Sequence, residues 1–292
     1  MFVDRASLLR VATSARLERA VLRVAPLERV ARRAASTYVA GQRWADAVEV
    51  AGRLHDQGTG ASIDEFGGQV ADAATAQRVA ADYKRMAGEL VLLPDDIWLS
   101  VDLSRLGLAV DRARCAEYLG EIARRMPPPR RIQVGAEGDD RAQDILACVL
   151  SVAQDGLADR LGATVPANLR RSPADVELLV QAGVHIRLVK GAYAGSPART
   201  LPAGEPTDIA FLRLACRLAE MQANFALATH DGLLREAVLL LLGPRPVEQL
   251  LGVRSEALAA LTARGVPTRV YVPFGQHWFR YRMRLLVQAR GG

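Results

Sequence analysis

The chain has 292 residues, half of them hydrophobic, which is enough for one large α/β barrel or two small domains. Its three cysteines are scattered without CxxC spacing, which argues against a disulfide framework or a zinc site and suits a reducing cytoplasm. The net charge of +6 comes almost wholly from dispersed arginines, so the excess suits an acidic substrate, cofactor or partner better than a nucleic acid. Arginines interrupt the apolar residues of the amino-terminal segment, which predicts neither a secretory signal nor a membrane span.

Apolar residues at helical spacing predict an amino-terminal helical arm over residues 1–60, which includes the run WADAVEVAGRL. The patch QGTGASID interrupts this spacing and predicts a loop. Beyond it, strand-like and helix-like segments alternate to the end of the chain. The predicted strands are FGGQV, IWLSVDL, RIQVGAE, GATVPANL, HIRLVKGAY, FALATHD, PVEQLLG and TRVYVPFG. Eight strand–helix units of about 25–30 residues imply a parallel sheet closed into a barrel. We therefore predict a single (βα)8 TIM-like barrel over residues 61–292.

The positions that follow the strands share one rim, where ligands bind in such barrels. They are Asp102, Glu137, Asn168, Lys190 with Tyr193, Thr229 to Asp231, Glu248, and the final helix with Tyr281 and Arg284. Histidines and carboxylates do not have metal-ligand spacing, and neither GxSxG nor a catalytic cysteine setting occurs. Cations, backbone amides and hydroxyls instead suit a large anionic cofactor that supplies the chemistry itself.

Each of these candidates also has an ordinary structural interpretation. The stretch 187–193 reads equally well as a buried strand that ends in a solvated Lys-Gly turn. On this interpretation, His230 is a packed, hydrogen-bonded histidine, and the arginines beside Tyr281 belong to a solvated basic face. Composition and spacing alone leave these alternatives open.

Four segments carry a family resemblance, and they occur in the family's order: IRLVKGAY, LATHD, LLGV and RVYVPFGQHWFRYRMRLL. Across about residues 63–290 the chain resembles the catalytic barrel of proline dehydrogenases, flavoenzymes that oxidise proline to pyrroline-5-carboxylate. The resemblance implies a distorted (βα)8 barrel with non-covalent FAD on its carboxyl-terminal face. It also implies that the final helix closes over the substrate.

The resemblance assigns roles to individual positions. Lys190, Gly191 and Ala192 match positions that hold the flavin, as do Thr229, His230 and Ala136, and Arg187 matches an arginine near the isoalloxazine. Tyr281 and Arg284 match a tyrosine and the first of two arginines that grip the substrate carboxylate. With Asp102, which follows the second strand, Arg187, Tyr281 and Arg284 form the predicted catalytic set. Paired arginines suit bidentate carboxylate recognition, and a cation near the flavin favours its reduced form.

The chain also departs from the family pattern at several positions. Asp102 stands where the family has a lysine, and Gly135 stands where the third strand usually carries an aspartate. Pro166 and Asn168 replace the fourth strand's glutamine and a nearby aromatic residue, Glu248 replaces a glutamine, and Leu285 replaces the second arginine. The cofactor side is therefore expected to be retained and the substrate side to be altered.

Three functions are compatible with this pattern. The first is an FAD-dependent dehydrogenase that oxidises a C–N bond of an amine, imino acid, hydrazine-like compound or carrier-tethered aminoacyl group and passes electrons to an acceptor such as a quinone or oxygen. The second is an ordinary L-proline dehydrogenase, and the third is a non-catalytic barrel that serves as a binding or regulatory subunit. Fold alone does not separate them.

Overall fold

The computed structural model describes residues 37–191 and 195–276, and its strands form a closed parallel barrel in the order β1 to β8. The strands are β1 (Gly60–Glu65), β2 (Ile97–Val101), β3 (Ile132–Val134), β4 (Leu161–Pro166), β5 (His185–Val189), β6 (Phe225–Ala228), β7 (Val247–Leu250) and β8 (Thr268–Phe274). β1 pairs with both β2 and β8, which closes the sheet. The predicted eight-stranded barrel is confirmed.

Helices alternate with these strands and cover the outside of the barrel, as parallel sheets require. They are α1 (Trp44–Asp56), α2 (Ala73–Glu89), α3 (Arg112–Arg125), α4 (Ala142–Val152), α5 (Ser172–Gln181), α6 (Glu205–Glu220), α7 (Gly232–Leu242) and α8 (Ser255–Ala263). Aspartates cap the amino-terminal ends of three of them. The carboxylates of Asp72, Asp111 and Asp231 accept from backbone N–H groups three residues further on, at 2.8, 3.0 and 3.0 Å. Helix α1 lies in the last part of the predicted arm, whereas residues 1–36 and the predicted final helix lie outside the described residues.

The position of the first strand differs from the sequence prediction. β1 begins at Gly60, inside the patch predicted to be a loop, and the run FGGQV that starts at Phe66 is not a strand. Ser62 and Asp64 gave this segment a polar, loop-like appearance, but both side chains are buried and hydrogen-bonded. Ser62 Oγ accepts from Arg187 at 3.2 Å, and Asp64 accepts from the hydroxyls of two tyrosines.

The strand register divides the sheet into an apolar face and a polar face. Residues paired across parallel strands point to the same side, and successive residues along a strand point to opposite sides. One face carries Ile63, Leu99, Ile132, Leu161, Ile186, Leu227, Val247 and Val270. The other carries Ser62, Ser100, Gln133, Thr164, Arg187, Glu248 and Arg269. The polar face is the interior, since Ser62 and Arg187 come from strands on opposite sides of the barrel and hydrogen-bond each other. Bulky branched residues usually fill this space.

Aromatic and cationic side chains fill the amino-terminal end of the barrel. The guanidinium groups of Arg131 and Arg269 lie 4.6 Å and 3.3 Å from the ring centroid of Trp98. His185, at the start of β5, contacts the same ring edge-on, and its Nδ1 lies 2.9 Å from Asn224 Oδ1. Burial, and then the charge of Arg131, lower the pKa of His185 to about 4. The end opposite the predicted site therefore holds a neutral, buried histidine.

We expect this histidine to make the fold sensitive to acid. Its pKa in the folded chain lies below the ordinary value of 6.5, so between pH 6.5 and 4 the unfolded chain binds a proton that the folded chain does not. The stabilisation is therefore present at pH 7 and is lost as the pH falls towards 4. In His185→Gln, urea unfolding at pH 7 and pH 4 should show an acid-induced loss smaller by about 2–3 kcal/mol than in the parent protein.

A matched control comes from the exposed His55, whose pKa Asp96 raises above its ordinary value. His55→Gln should not reduce the acid-induced loss of stability. If His185→Gln and the parent protein lose the same free energy of unfolding on acidification, His185 is not held neutral by the fold.

Candidate functional site

The carboxyl-terminal ends of β5 and β6 are joined by the side chain of Lys190. Its Nζ lies 2.5 Å from Asp208 Oδ1 in α6 and 3.0 Å from Asp231 Oδ2, at the start of α7. Asp231 is fixed in turn, because its Oδ1 accepts from Leu234 N at 3.0 Å. Burial alone would lower the pKa of Lys190, but the two carboxylates raise it. Lys190 is thus a charged donor whose positive charge is already compensated.

Gly191 allows the end of β4 to lie directly against the end of β5. Its φ of +107° disfavours other residues, and a Cβ built on it would lie 1.9 Å from Asn168 Oδ1. Asn168 is itself buried, and its backbone N donates to Lys190 O at 3.0 Å. The ends of β4, β5 and β6 therefore form one continuous surface, which we call the β4–β6 rim.

Thr229 and His230 follow β6 on the same rim. Thr229 is buried, and its Oγ1 accepts from Asp231 N at 3.1 Å. Burial, followed by the charges of Arg254 and Arg235, lowers the pKa of His230 to about 4, so the ring is neutral near pH 7. Within the described part of the chain, His230 Nδ1 is buried and makes no hydrogen bond. Since buried polar atoms are nearly always paired, this nitrogen fits a contact with a bound group.

Arg187 lies below the rim, inside the barrel, where it pairs with Glu248. Arg187 Nε donates to Glu248 Oε2 at 2.6 Å, and the two side chains are only 8% and 4% exposed. Burial alone would raise the pKa of Glu248, but the neighbouring Arg187 and Arg269 hold it below its ordinary value. Glu248 is therefore ionised near pH 7. Sequence reasoning placed both residues in the barrel but did not predict that they meet.

The ends of β2 and β3 form a second surface, the β2–β3 rim. Asp102 follows β2, and a Cβ built on Gly135 would lie 2.1 Å from Asp102 Oδ1. The Asp102 carboxylate thus occupies the space that any larger residue at position 135 would need. Glu137 is held nearby, since its Oε1 accepts from Ser104 N at 2.9 Å and its Oε2 accepts from Arg141 at 3.1 Å. Ala136 lies between Gly135 and Glu137 and is half-buried.

The structure brings part of the predicted set together. Lys190, Gly191, Thr229 and His230 share the β4–β6 rim, Arg187 lies inside the barrel, and Asp102 and Ala136 belong to the β2–β3 rim. The predicted positions Ala192, Tyr281 and Arg284 lie outside the described residues, so their roles remain predictions. Sequence reasoning missed Asp208 as a partner of Lys190, because nothing in its helix distinguishes it from a solvated acid. It also missed Ser62 and Asp64, whose strand was assigned to a loop.

The β4–β6 rim fits the flavin cofactor implied by the sequence resemblance. Among the described residues, His230 Nδ1 is a buried hydrogen-bonding atom without a partner, and Lys190 contributes ammonium hydrogens. Gly191 brings the backbone that follows β5 against Asn168, which shapes the surface. Because two carboxylates already neutralise Lys190, its contribution is hydrogen bonding and not a net positive charge. The described residues contain no cluster of histidine, cysteine and acidic side chains that could hold a metal ion. Across the same residues, none of the helices is both long and apolar enough to cross a membrane.

Comparison with known proteins gives a consistent result. The profile of the proline dehydrogenase family matches residues 47–284. Proline dehydrogenase 1 of Bacillus subtilis subsp. natto is 28% identical over 264 residues, which cover 87% of this chain and 86% of that protein. The proline dehydrogenase of Deinococcus radiodurans is 24% identical over 276 residues, with the same coverage of both chains.

Solved structures agree with the fold. Proline utilization A of Bdellovibrio bacteriovorus superposes with a TM-score of 0.81 at 18% identity, covering 98% of this chain and 36% of that one. A mutant of the Bradyrhizobium japonicum protein of the same name gives a TM-score of 0.75 at 21% identity, covering 91% of this chain and 32% of that one. The chain thus spans about a third of these larger proteins, and the likeness establishes the barrel. Because the family profile covers more than half of the sequence, the chain belongs to the proline dehydrogenase family and is an FAD-dependent oxidoreductase that acts on CH–NH groups.

Proposed function

We propose that this enzyme oxidises the C–N bond of an amine whose neighbouring carboxylate is absent or masked, such as an aminoacyl ester, thioester or amide, and that free L-proline is a poor substrate. A hydrazine-like compound belongs to the same class, because its reacting nitrogen carries no carboxylate neighbour. Tethering of the aminoacyl group to a carrier protein is one form of masking and is part of this proposal.

The observation that carries the proposal is the contact between Asp102 and Gly135. In the family pattern a lysine and an aspartate occupy these two positions, whereas here a carboxylate fills the space above a glycine. A cation that would attract a substrate carboxylate is thereby replaced by an anion that repels it. The same anion attracts a protonated amine.

The chain's own residues then have the following roles. Asp102 orients the substrate nitrogen, Tyr281 and Arg284 contact the rest of the substrate, and Arg187 approaches the cofactor ring from inside the barrel. Lys190, Gly191, Ala192, Thr229, His230 and Ala136 hold the cofactor. When bound, FAD supplies the two-electron oxidation. Because His230 is neutral, its Nδ1 contributes a hydrogen bond to the cofactor and no charge.

Three further assignments belong to the proposal. Residues 1–60 act as a helical arm and residues 61–292 as the catalytic barrel, supported by the start of β1 at Gly60. The electron acceptor is a quinone or oxygen. A cytoplasmic location is supported by the three cysteines, which are all free.

A matched substrate series tests the preference directly. L-Proline, L-prolinamide and L-proline methyl ester share one ring and one reacting nitrogen and differ only at the carboxylate. Anaerobic stopped-flow absorbance should show the flavin reduced about 10- to 100-fold more efficiently by the amide and ester, since each lost or repelled charged contact is worth about 1.5–3 kcal/mol. Faster reduction by millimolar proline than by both masked compounds would favour an ordinary proline dehydrogenase.

A double substitution at the ends of β2 and β3 can restore the charges of the family pattern. Asp102→Lys combined with Gly135→Asp restores a lysine–aspartate pair and should raise kcat/KM for free proline by about tenfold or more. Gly135→Asp alone is the control, since its side chain collides with Asp102 and places two like charges together. That single variant should lower the melting temperature and leave proline turnover poor. No gain in the double variant would mean that Asp102 does not decide substrate choice.

Cofactor retention tests the β4–β6 rim. Lys190→Ala and His230→Ala should each weaken FAD binding about tenfold, measured by quenching of flavin fluorescence on titrating the apoprotein. Because the pKa of His230 is about 4, its contribution should be constant between pH 8 and pH 5.5. His55→Ala, at the other end of the barrel, serves as the control. Unchanged affinity in both rim variants would place the flavin elsewhere.

A further inference from the structure

We infer that Glu248 sets the reduction potential of the bound flavin by neutralising Arg187 inside the barrel. The inference rests on the proposed position of Arg187 beside the cofactor ring. It adds a positioning residue that acts through Arg187 and does not itself need to touch substrate.

The geometry makes the neutralisation specific. Arg187 Nε and Glu248 Oε2 are 2.6 Å apart, and Ser62 Oγ accepts from Arg187 Nη2 at 3.2 Å. Three strands, β1, β5 and β7, thus supply the contacts that fix one guanidinium group. With both charged side chains almost completely buried, water screens their interaction very little. A ligand above the pair experiences an ion pair and not a free cation.

The surrounding charges explain why a carboxylate is tolerated at position 248. The register places Glu248 opposite Arg269, which is half-buried and whose pKa desolvation lowers to about 10. Glu248 therefore lies between two arginines. A neutral glutamine at position 248, as in the family pattern, would leave both arginines without this partner. The carboxylate consequently changes the charge of the interior and not only its hydrogen bonding.

The consequence for the flavin follows from its charge. A nearby cation favours the electron-rich reduced form, so masking that cation favours the oxidised form. We expect Glu248→Gln to favour the reduced flavin about tenfold, which corresponds to a rise of about 30 mV for a two-electron couple. The potential is measured by dye equilibration on the flavin-loaded protein without substrate.

Two further variants isolate the pair. Arg187→Gln combined with Glu248→Gln removes both charges, which is often tolerated when both partners of a buried pair are replaced together. Its potential should lie close to that of the parent protein. Glu248→Asp retains the carboxylate and should also remain closer to the parent than Glu248→Gln does. Glu236→Gln, which removes a carboxylate from the outer helix α7, should leave the potential unchanged.

A flavin-loaded Glu248→Gln protein with an unchanged potential would overturn the inference. If that variant does not fold, the double variant decides: a potential near the parent value supports masking, and a fall of more than about 30 mV shows that Arg187 acts as an unmasked cation. Because these potentials are measured without substrate, either failure leaves the proposed substrate class standing. Failure of FAD binding would instead appear as a colourless parent protein.

Discussion

The buried ion pair between Arg187 and Glu248 is the constraint on which the catalytic end of this barrel depends. Removing one partner of such a pair generally costs about 3–5 kcal/mol, because an uncompensated charge remains in a medium of low polarity. β5 and β7 must therefore keep the spacing that holds the two side chains 2.6 Å apart. Ser62 extends the constraint across the barrel to β1. A hydrophobic interior would not impose a comparable geometry on three strands.

The rim above this pair is divided into two surfaces that are built in different ways. On the β4–β6 rim, two carboxylates, Asp208 and Asp231, surround the single ammonium of Lys190, and Gly191 lies against Asn168 without room for a side chain. This cluster has no excess positive charge, so the surface can hold a large group only through hydrogen bonds and shape. On the β2–β3 rim, Asp102 occupies space left by Gly135. In the proposed function, the first surface positions the cofactor, and the second sets the sign of the charge that the substrate meets.

Much of the fold could be predicted from the sequence because the outward-facing residues of the strands are consistently apolar and the helices between them are amphipathic. Seven of the eight predicted strands overlap observed ones. β1 was missed because Ser62 and Asp64 gain their hydrogen bonds from Arg187, Tyr83 and Tyr271, which are distant in sequence. A segment that is stabilised by long-range polar contacts has no local pattern from which a strand can be recognised.

The candidate site was predictable to the extent that it follows strand ends. Lys190, Thr229 and His230 each follow a strand, and this position predicted that they share one rim, since the carboxyl ends of parallel strands lie on the same face of the barrel. The ion pairs between these side chains could not be predicted from strand ends. The contact of Arg187 with Glu248 depends on the register of β5 and β7 across the interior, and that of Lys190 with Asp208 depends on how α6 packs. The sequence identified the individual charged residues of the site. Only the structure shows which of them form ion pairs with each other.

Most departures from the family pattern change the charge of the site in the same direction. Replacing lysine by Asp102, arginine by Leu285 and glutamine by Glu248 each makes the region more negative, and only the loss of an aspartate at Gly135 acts in the opposite sense. Together they lower its charge by about three at neutral pH. Both added carboxylates have fixed surroundings, with Glu248 paired to Arg187 and Asp102 lying over Gly135. On our proposal, a substrate that carries its own carboxylate meets repulsion there, whereas a cationic or neutral nitrogen compound does not. If the flavin lies beside Arg187 as we propose, the masking carboxylate makes it a weaker oxidant, which suits a nitrogen compound that gives up electrons readily.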